Sequence, residues 1–333
     1  MQANTYAFSR KSLFSLMALL LSMLLFLAGC GNDSAGGAEE TKTEPKAEEE
    51  TAREITHAMG TTTIEGTPQK IVTLYQGATD VAVEMGVKPA GAVESWLQQP
   101  VYEYLKDDME GVTIVGQETQ PNLEEIAKLE PDLIIASKLR HEEIYDQLSQ
   151  IAPTVAHETV FDFKGTVEMM GEAMNQQDKA DELLAAWDER VSDFQGKIQE
   201  KMGDKWPMHV SVLNFREDHA RIYVTGFAGS ILTELGFEGP KNITDESLDV
   251  VKLTDKESIS QMNADVFYMF MEDNEAVKKT HDEWTSHPLW ANLDAVKADQ
   301  VYTVDEIIWN MGGGIRAANL MLDDIYNRFE LEK

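Results

Sequence analysis

Two guanidinium groups are the parts of this chain best placed to do chemistry. The sequence has eight arginines in 333 residues, and Arg140 and Arg216 each follow a short apolar run that reads as a strand, 131–136 (PDLIIA) and 209–215 (HVSVLNF). Lys138 lies beside the first, Arg221 beyond a turn after the second, and Arg316 just after Gly312-Gly313-Gly314. With 59 acidic against 28 basic side chains and a formal net charge of −31, such cations at strand ends are suited to grip an anion by forked hydrogen bonds. Each could instead pair with a local acid, Arg140 with Glu143 and Arg216 with Glu217 or Asp218. Four aromatic residues, Tyr75, Trp96, Tyr223 and Trp309, also sit at strand ends or turns, where a ring lines a pocket or packs in a core. Trp309, beside the glycine turn, is the best placed of them.

Other chemistries find little support. The seven histidines show no HExxH or comparable metal-ligand spacing, and the glycine triplet lacks the lysine and hydroxyl of a phosphate loop. There is no G-x-S-x-G elbow, so no catalytic set is expected. The acidic balance argues against nucleic acid as a partner and against general binding to an anionic membrane surface.

The elements that position these residues follow from periodicity. In 180–202 the apolar residues Leu183, Leu184, Trp187, Val191, Phe194, Ile198 and Met202 recur at steps of three and four, which predicts one long helix from about 178 to 202 capped by Asp178. At 1.5 Å per residue it would be about 37 Å long. A shorter helix carrying Val167, Met170 and Met174 precedes it. On either side, short apolar strands alternate with amphipathic helices, which implies two mostly parallel sheets with ligands outside the carboxyl ends of their strands. The fold expected is α/β, two Rossmann-like lobes joined by one long α-helix. Its divisions are an N-terminal lobe at 55–164, a connecting segment at 165–203 and a C-terminal lobe at 204–333. Asn122 is expected to cap the helix bearing Glu124, and Thr254 the one bearing Glu257. The like placement of 131–135 and 264–268 suggests a distant internal duplication.

Residues 1–29 read as a secretory signal: Arg10 and Lys11 precede a run at 13–27 that is apolar except for Ser15 and Ser22, too short for a comfortable membrane span. The only cysteine, Cys30, closes the sequence Leu27-Ala28-Gly29-Cys30, which resembles a bacterial lipobox. Residues 30–54, poor in large apolar side chains, are expected to be an acidic tether. The folded part would then be anchored by acyl chains on Cys30 at the extracytoplasmic face of a membrane.

Taken in order, the lipobox, the tether, 70–74, Pro121-Asn122-Leu123-Glu124, Glu130-Pro131-Asp132-Leu133-Ile134 and the single connecting helix resemble the solute-binding lipoproteins of ABC iron importers. This is the helical-hinge class (the class III periplasmic-binding-protein fold) that takes ferric siderophores, haem or cobalamin. Ser137-Lys138-Leu139-Arg140, 151–155, 215–223 and 309–324 look like the branch for hydroxamate and citrate-hydroxamate siderophores of the schizokinen or arthrobactin type. The resemblance implies that Arg140 and Arg216 contact ligand oxygens around Fe(III), with Trp96 and Trp309 flanking. The siderophore supplies the iron's ligands, so the protein itself needs no metal site or cofactor. It further implies that Glu124 and Glu257 dock on the permease. A long helix between the lobes resists large hinge bending, so closure on binding is expected to be small, and the protein is expected to work as a monomer. Haem or cobalamin as cargo, or a lipid-anchored hydrolase, are the alternatives.

Overall fold

The computed structural model describes residues 52–333 apart from 244, 246 and 247. The signal, Cys30 and nearly all of the expected tether lie outside the described residues. The described residues form one compact unit. Arg53 and Glu54, expected at the end of the tether, instead open a hairpin of β1 (Arg53–His57) and β2 (Gly60–Ile64). The Arg53 guanidinium donates to the carbonyls of Gly66 and Ala173, which ties this strand to the lobe.

The N-terminal lobe is built from β3 (Ile71–Thr73), α1 (Gln76–Glu84), β4 (Gly91–Glu94), β5 (Thr113–Gln117), β6 (Gln120–Pro121), α2 (Leu123–Lys128), β7 (Leu133–Ser137), α3 (Lys138–His141), α4 (Tyr145–Ile151) and β8 (Thr154–His157). Its sheet runs in the order β6-β5-β4-β3-β7-β8, parallel except for β6. The central strands β3 and β7 are buried at every position, as unbroken apolar runs between two helical layers must be. Asn122 caps α2 as expected, its side chain accepting from the N–H groups of Glu124 and Glu125.

Two helices follow, α5 (Phe163–Ala173) and the long α6 (Gln177–Met202). The 26 residues of α6 span about 39 Å. Asp178 falls in the first turn rather than at the cap, which is Gln176, two residues earlier than expected; there it complements the helix dipole. Trp187 meets Phe163 edge to face at 5.0 Å between centroids, while Phe194 packs on Tyr326 at 5.4 Å. One apolar stripe thus serves both lobes.

The C-terminal lobe comprises β9 (Val210–Phe215), β10 (Ala220–Tyr223), α7 (Gly226–Glu234), β11 (Val250–Leu253), β12 (Val266–Met271), α8 (Glu275–Thr285), α9 (Asp294–Lys297), β13 (Val301–Thr303) and α10 (Ile315–Arg328). Its sheet order is β11-β10-β9-β12-β13, parallel through β9, β12 and β13 and antiparallel through β9, β10 and β11. Glu257 lies in a 3-10 helix, Lys256–Met262, capped by Asp255 and not by Thr254.

The lobes also meet where α1 faces the turn before α10. A Cβ on Gly77 would stand 2.5 Å from the Gly313 carbonyl oxygen, and Gly313 itself has φ +69°, so only glycines allow this approach. Asp80, fully buried on α1, accepts from the main-chain N–H groups of Arg316 (2.8 Å) and Ala317 (3.0 Å), and from the Tyr104 hydroxyl (2.9 Å). It is the N-terminal cap of α10, supplied by the other lobe. Arg316, expected in a ligand pocket, is instead a strut between lobes: Nε pairs with Glu84 and Nη1 with Asp108, both at 2.7 Å.

Candidate functional site between the lobes

Between the carboxyl ends of the two sheets lies a cleft enclosing about 1060 Å³ of space free of protein atoms, part of it open to solvent. From the N-terminal lobe it is lined by Gln76, Gly77, Trp96, Glu118 and Arg140, and from the C-terminal lobe by Arg216, Arg221, Tyr223, Val250, Asn310, Met311 and Gly313. Val160 and Phe161, from the segment before α5, complete it. Five expected residues, Trp96, Arg140, Arg216, Arg221 and Tyr223, therefore come together. Trp96 is 44% exposed, a large ring left open at the rim.

Neither cleft arginine pairs with the neighbouring acid that the sequence offered. Arg140, on α3, donates from Nε to Oε1 of Glu118 at 3.0 Å. Glu118 is only 4% exposed, and its other oxygen accepts from the Gln76 N–H at the start of α1, at 3.2 Å. The Glu118 carbonyl accepts from His141 Nε2 at 2.9 Å; burial holds this imidazole below its ordinary pKa. Across the cleft, Arg216 donates from Nε to Asn214 Oδ1 at 2.6 Å and turns its Nη2 toward Glu306, 3.6 Å away. Arg221 donates to His219 Nε2 at 2.9 Å, and the other ring nitrogen of His219 faces Asp218. Each guanidinium keeps N–H groups beyond these contacts, so the cleft carries three cations whose direct bonds engage them only in part.

Four expected site residues fall elsewhere. Tyr75 is fully buried, its hydroxyl 3.0 Å from that of Thr166, because it follows β3 onto the face covered by α1 and α5. Lys138 turns outward to Glu158 at 2.9 Å. Trp309 is 1% exposed, donates from Nε1 to Asp324 at 3.0 Å and packs on Tyr268 at 4.5 Å between centroids. It backs a small apolar recess beside the cleft, while its neighbours Asn310 and Met311 face the cleft itself. Arg316 is the strut described above.

Sequence reasoning missed Glu118 and Glu306. The signal that located the arginines applied to both, since Glu118 directly follows β5 and Glu306 follows β13. Among the described residues no group of three His, Cys, Asp or Glu could hold a metal ion, and no helix is long and apolar enough to cross a membrane.

Two α/β lobes on a single helix, with an arginine-bearing cleft at their strand ends, define a two-lobed binding protein. The sequence matches the periplasmic binding protein family over residues 71–308, and the chain belongs to that family. It is 45% identical over 260 residues to the achromobactin-binding periplasmic protein of Dickeya dadantii, covering 78% of this chain and 85% of that one. It is 39% identical over 330 residues to a "probable siderophore-binding lipoprotein" of Bacillus subtilis, covering 96% and 98%. The crystal structure of Staphylococcus aureus SirA complexed with staphyloferrin B superposes with a TM-score of 0.81 at 52% identity, over 84% of this chain and 99% of that one. The architecture is that of the class III periplasmic binding proteins.

Proposed function

We propose that the protein is an extracytoplasmic receptor that holds a ferric siderophore between its lobes and delivers it to an ABC permease for iron uptake. The observation that carries this reading is the convergence of Arg140, Arg216 and Arg221 from two lobes on one cleft, in a chain of net charge −31. An anion in that cleft gains charge-assisted hydrogen bonds from both sides at once. Chelated iron would arrive with its ligands supplied by the siderophore, so binding asks of the protein only hydrogen bonds and an aromatic rim. The role is binding and not catalysis.

Schizokinen- or arthrobactin-type hydroxamates and citrate-hydroxamates are the ligand class that the sequence resemblance implies. The arginines favour members with free carboxylate oxygens. Achromobactin and staphyloferrin B, named for relatives 45% and 52% identical, enter the same comparison. Glu124, in the first turn of α2, and Glu257, in the 3-10 helix, are both exposed and stand beyond ion-pair distance of any described cation; they are our candidates for permease docking. Cys30 is our candidate for acylation, and the receptor would act as a monomer.

The test is quenching of tryptophan fluorescence by ferric schizokinen, staphyloferrin B, achromobactin, citrate, ferrioxamine, haem and cobalamin, repeated with Arg140→Ala and Arg216→Ala. Saturable quenching by a carboxylate-bearing ferric siderophore, weakened in both variants, is expected. Quenching by haem or cobalamin alone would overturn the siderophore reading.

A further inference from the structure

The Glu306 side chain is 8% exposed, and its Oε1 has no hydrogen-bond partner. The Arg216 Nη2 stands 3.6 Å from that oxygen, too far for a hydrogen bond although close enough to act as its counter-ion. A buried carboxylate oxygen so poorly satisfied is costly, and loss of its one cation makes it costlier. Yet Arg216 lines the cleft, where an anion would claim the same guanidinium.

We propose that Glu306 competes with an anionic ligand for Arg216 and takes up a proton when the ligand wins, so that filling the cleft draws about one proton from solution. The proposal rests on the reading of the cleft as the site of an anionic ferric chelate. The step is balanced without a further reagent: solvent supplies the proton, the carboxylate becomes a carboxylic acid, and Arg216 stays a guanidinium throughout.

Arg216 is the group that holds Glu306 in its charged form, and the other surroundings favour the neutral acid. Burial raises its pKa first, Arg216 opposes, and Glu272 after β12 and Asp305 beside it raise it further. Asp305 spends its carboxylate on the N–H groups of Ile307 and Ile308, and Glu272 is exposed, so neither offers Glu306 a donor. The phenol of Tyr102, reaching over from the other lobe, is the remaining titratable neighbour. Once the guanidinium turns to the ligand, burial and the neighbouring carboxylates are left to favour the neutral acid. The loaded state then binds the proton more tightly than the empty one. Affinity should therefore be highest below the empty-state pKa of Glu306 and fall as pH rises through the window up to its loaded-state pKa, by at most tenfold per pH unit.

Glu118 marks the contrast. Its two oxygens hold direct hydrogen bonds from Arg140 Nε and Gln76 N, so neither lacks a donor as Oε1 of Glu306 does.

Calorimetric titration of the full chain with ferric staphyloferrin B, and with ferric achromobactin as a second probe, in phosphate and in Tris counts the protons taken up. We expect proton uptake by the wild type near pH 7.5, the same count for Glu118→Gln, and near zero for Glu306→Gln, which should bind at least as tightly as wild type at that pH. Infrared difference spectra on loading protein carrying 13C-labelled glutamate read the same proton without any substitution, as a new labelled carboxylic acid band. Heat of binding with an equal proton count in wild type and Glu306→Gln, or no labelled acid band, overturns the proposal while leaving the receptor reading intact. No heat with either chelate overturns both.

Discussion

The two walls of the cleft solve the same problem differently. On the N-terminal wall, Arg140 is bonded directly to a carboxylate that is itself anchored on the N–H of Gln76, so the cation is fixed before any ligand arrives. On the C-terminal wall, Arg216 is steadied by Asn214 and only faces Glu306 across 3.6 Å. The first wall has a preorganised donor; the second has one that can be drawn away from its counter-ion. A receptor that must hold its cargo and also release it has use for both, and the difference between the walls can be tested.

The largest expected effect is on ligand affinity in the double variant Arg140→Ala with Arg216→Ala. Each charge-assisted hydrogen bond is worth about 1.5–3 kcal/mol, so the pair should lose on the order of a hundredfold or more in equilibrium titration. Asp80 offers the next largest effect. Burial raises its pKa to about 6, against hydrogen bonds from α10 that lower it. Because the folded state binds this proton more tightly than the unfolded chain, its contribution favours folding at low pH and is lost as pH rises from about 4 to 6. Over that window Asp80 should account for about 3 kcal/mol of slope, which Asp80→Asn removes in urea denaturation.

Comparing the walls directly, Arg140→Ala should destabilise the empty protein by about 2 kcal/mol, because it strands the buried, hydrogen-bonded Glu118. Arg216→Ala should cost less, since Glu306 can protonate; equal losses would erase the distinction drawn here. Smaller still, Trp96→Ala should weaken binding by about 1 kcal/mol with stability unchanged, as fits an exposed ring at the rim. Tyr75→Phe should do the reverse, costing about 1 kcal/mol in stability through the lost Thr166 contact and nothing in affinity.

Much of the architecture was legible because it rests on periodicity. The stripe on α6 states which face is buried, and the apolar runs of β3, β7, β9 and β12 mark strands buried on both faces. The rule that ligands sit beyond strand ends pointed to Arg140, Arg216 and Trp96, which do line the cleft, whereas Arg221 and Tyr223 reach it from within β10. The same rule misplaced Tyr75, Lys138 and Trp309, because a strand end fixes where the backbone goes and not which way the next side chain turns. Tyr75 turns under the sheet, Lys138 turns out to Glu158, and Trp309 is drawn inward by Asp324. Arg316 was misread because its partners, Glu84 and Asp108, are more than two hundred positions away in sequence. The pairings of Arg140 with Glu118 and of Arg216 with Glu306 span far less of the chain but were hidden too, since each joins segments that neighbour one another only in the folded lobe.

The most direct test of the account is a crystal structure of the protein with a bound ferric siderophore, beginning with staphyloferrin B. The chelate should lie between the lobes, with guanidinium nitrogens of both Arg140 and Arg216 about 2.7–3.2 Å from its oxygens and no protein atom on the iron. A chelate bound elsewhere, or in the cleft but touched by neither arginine, would contradict it.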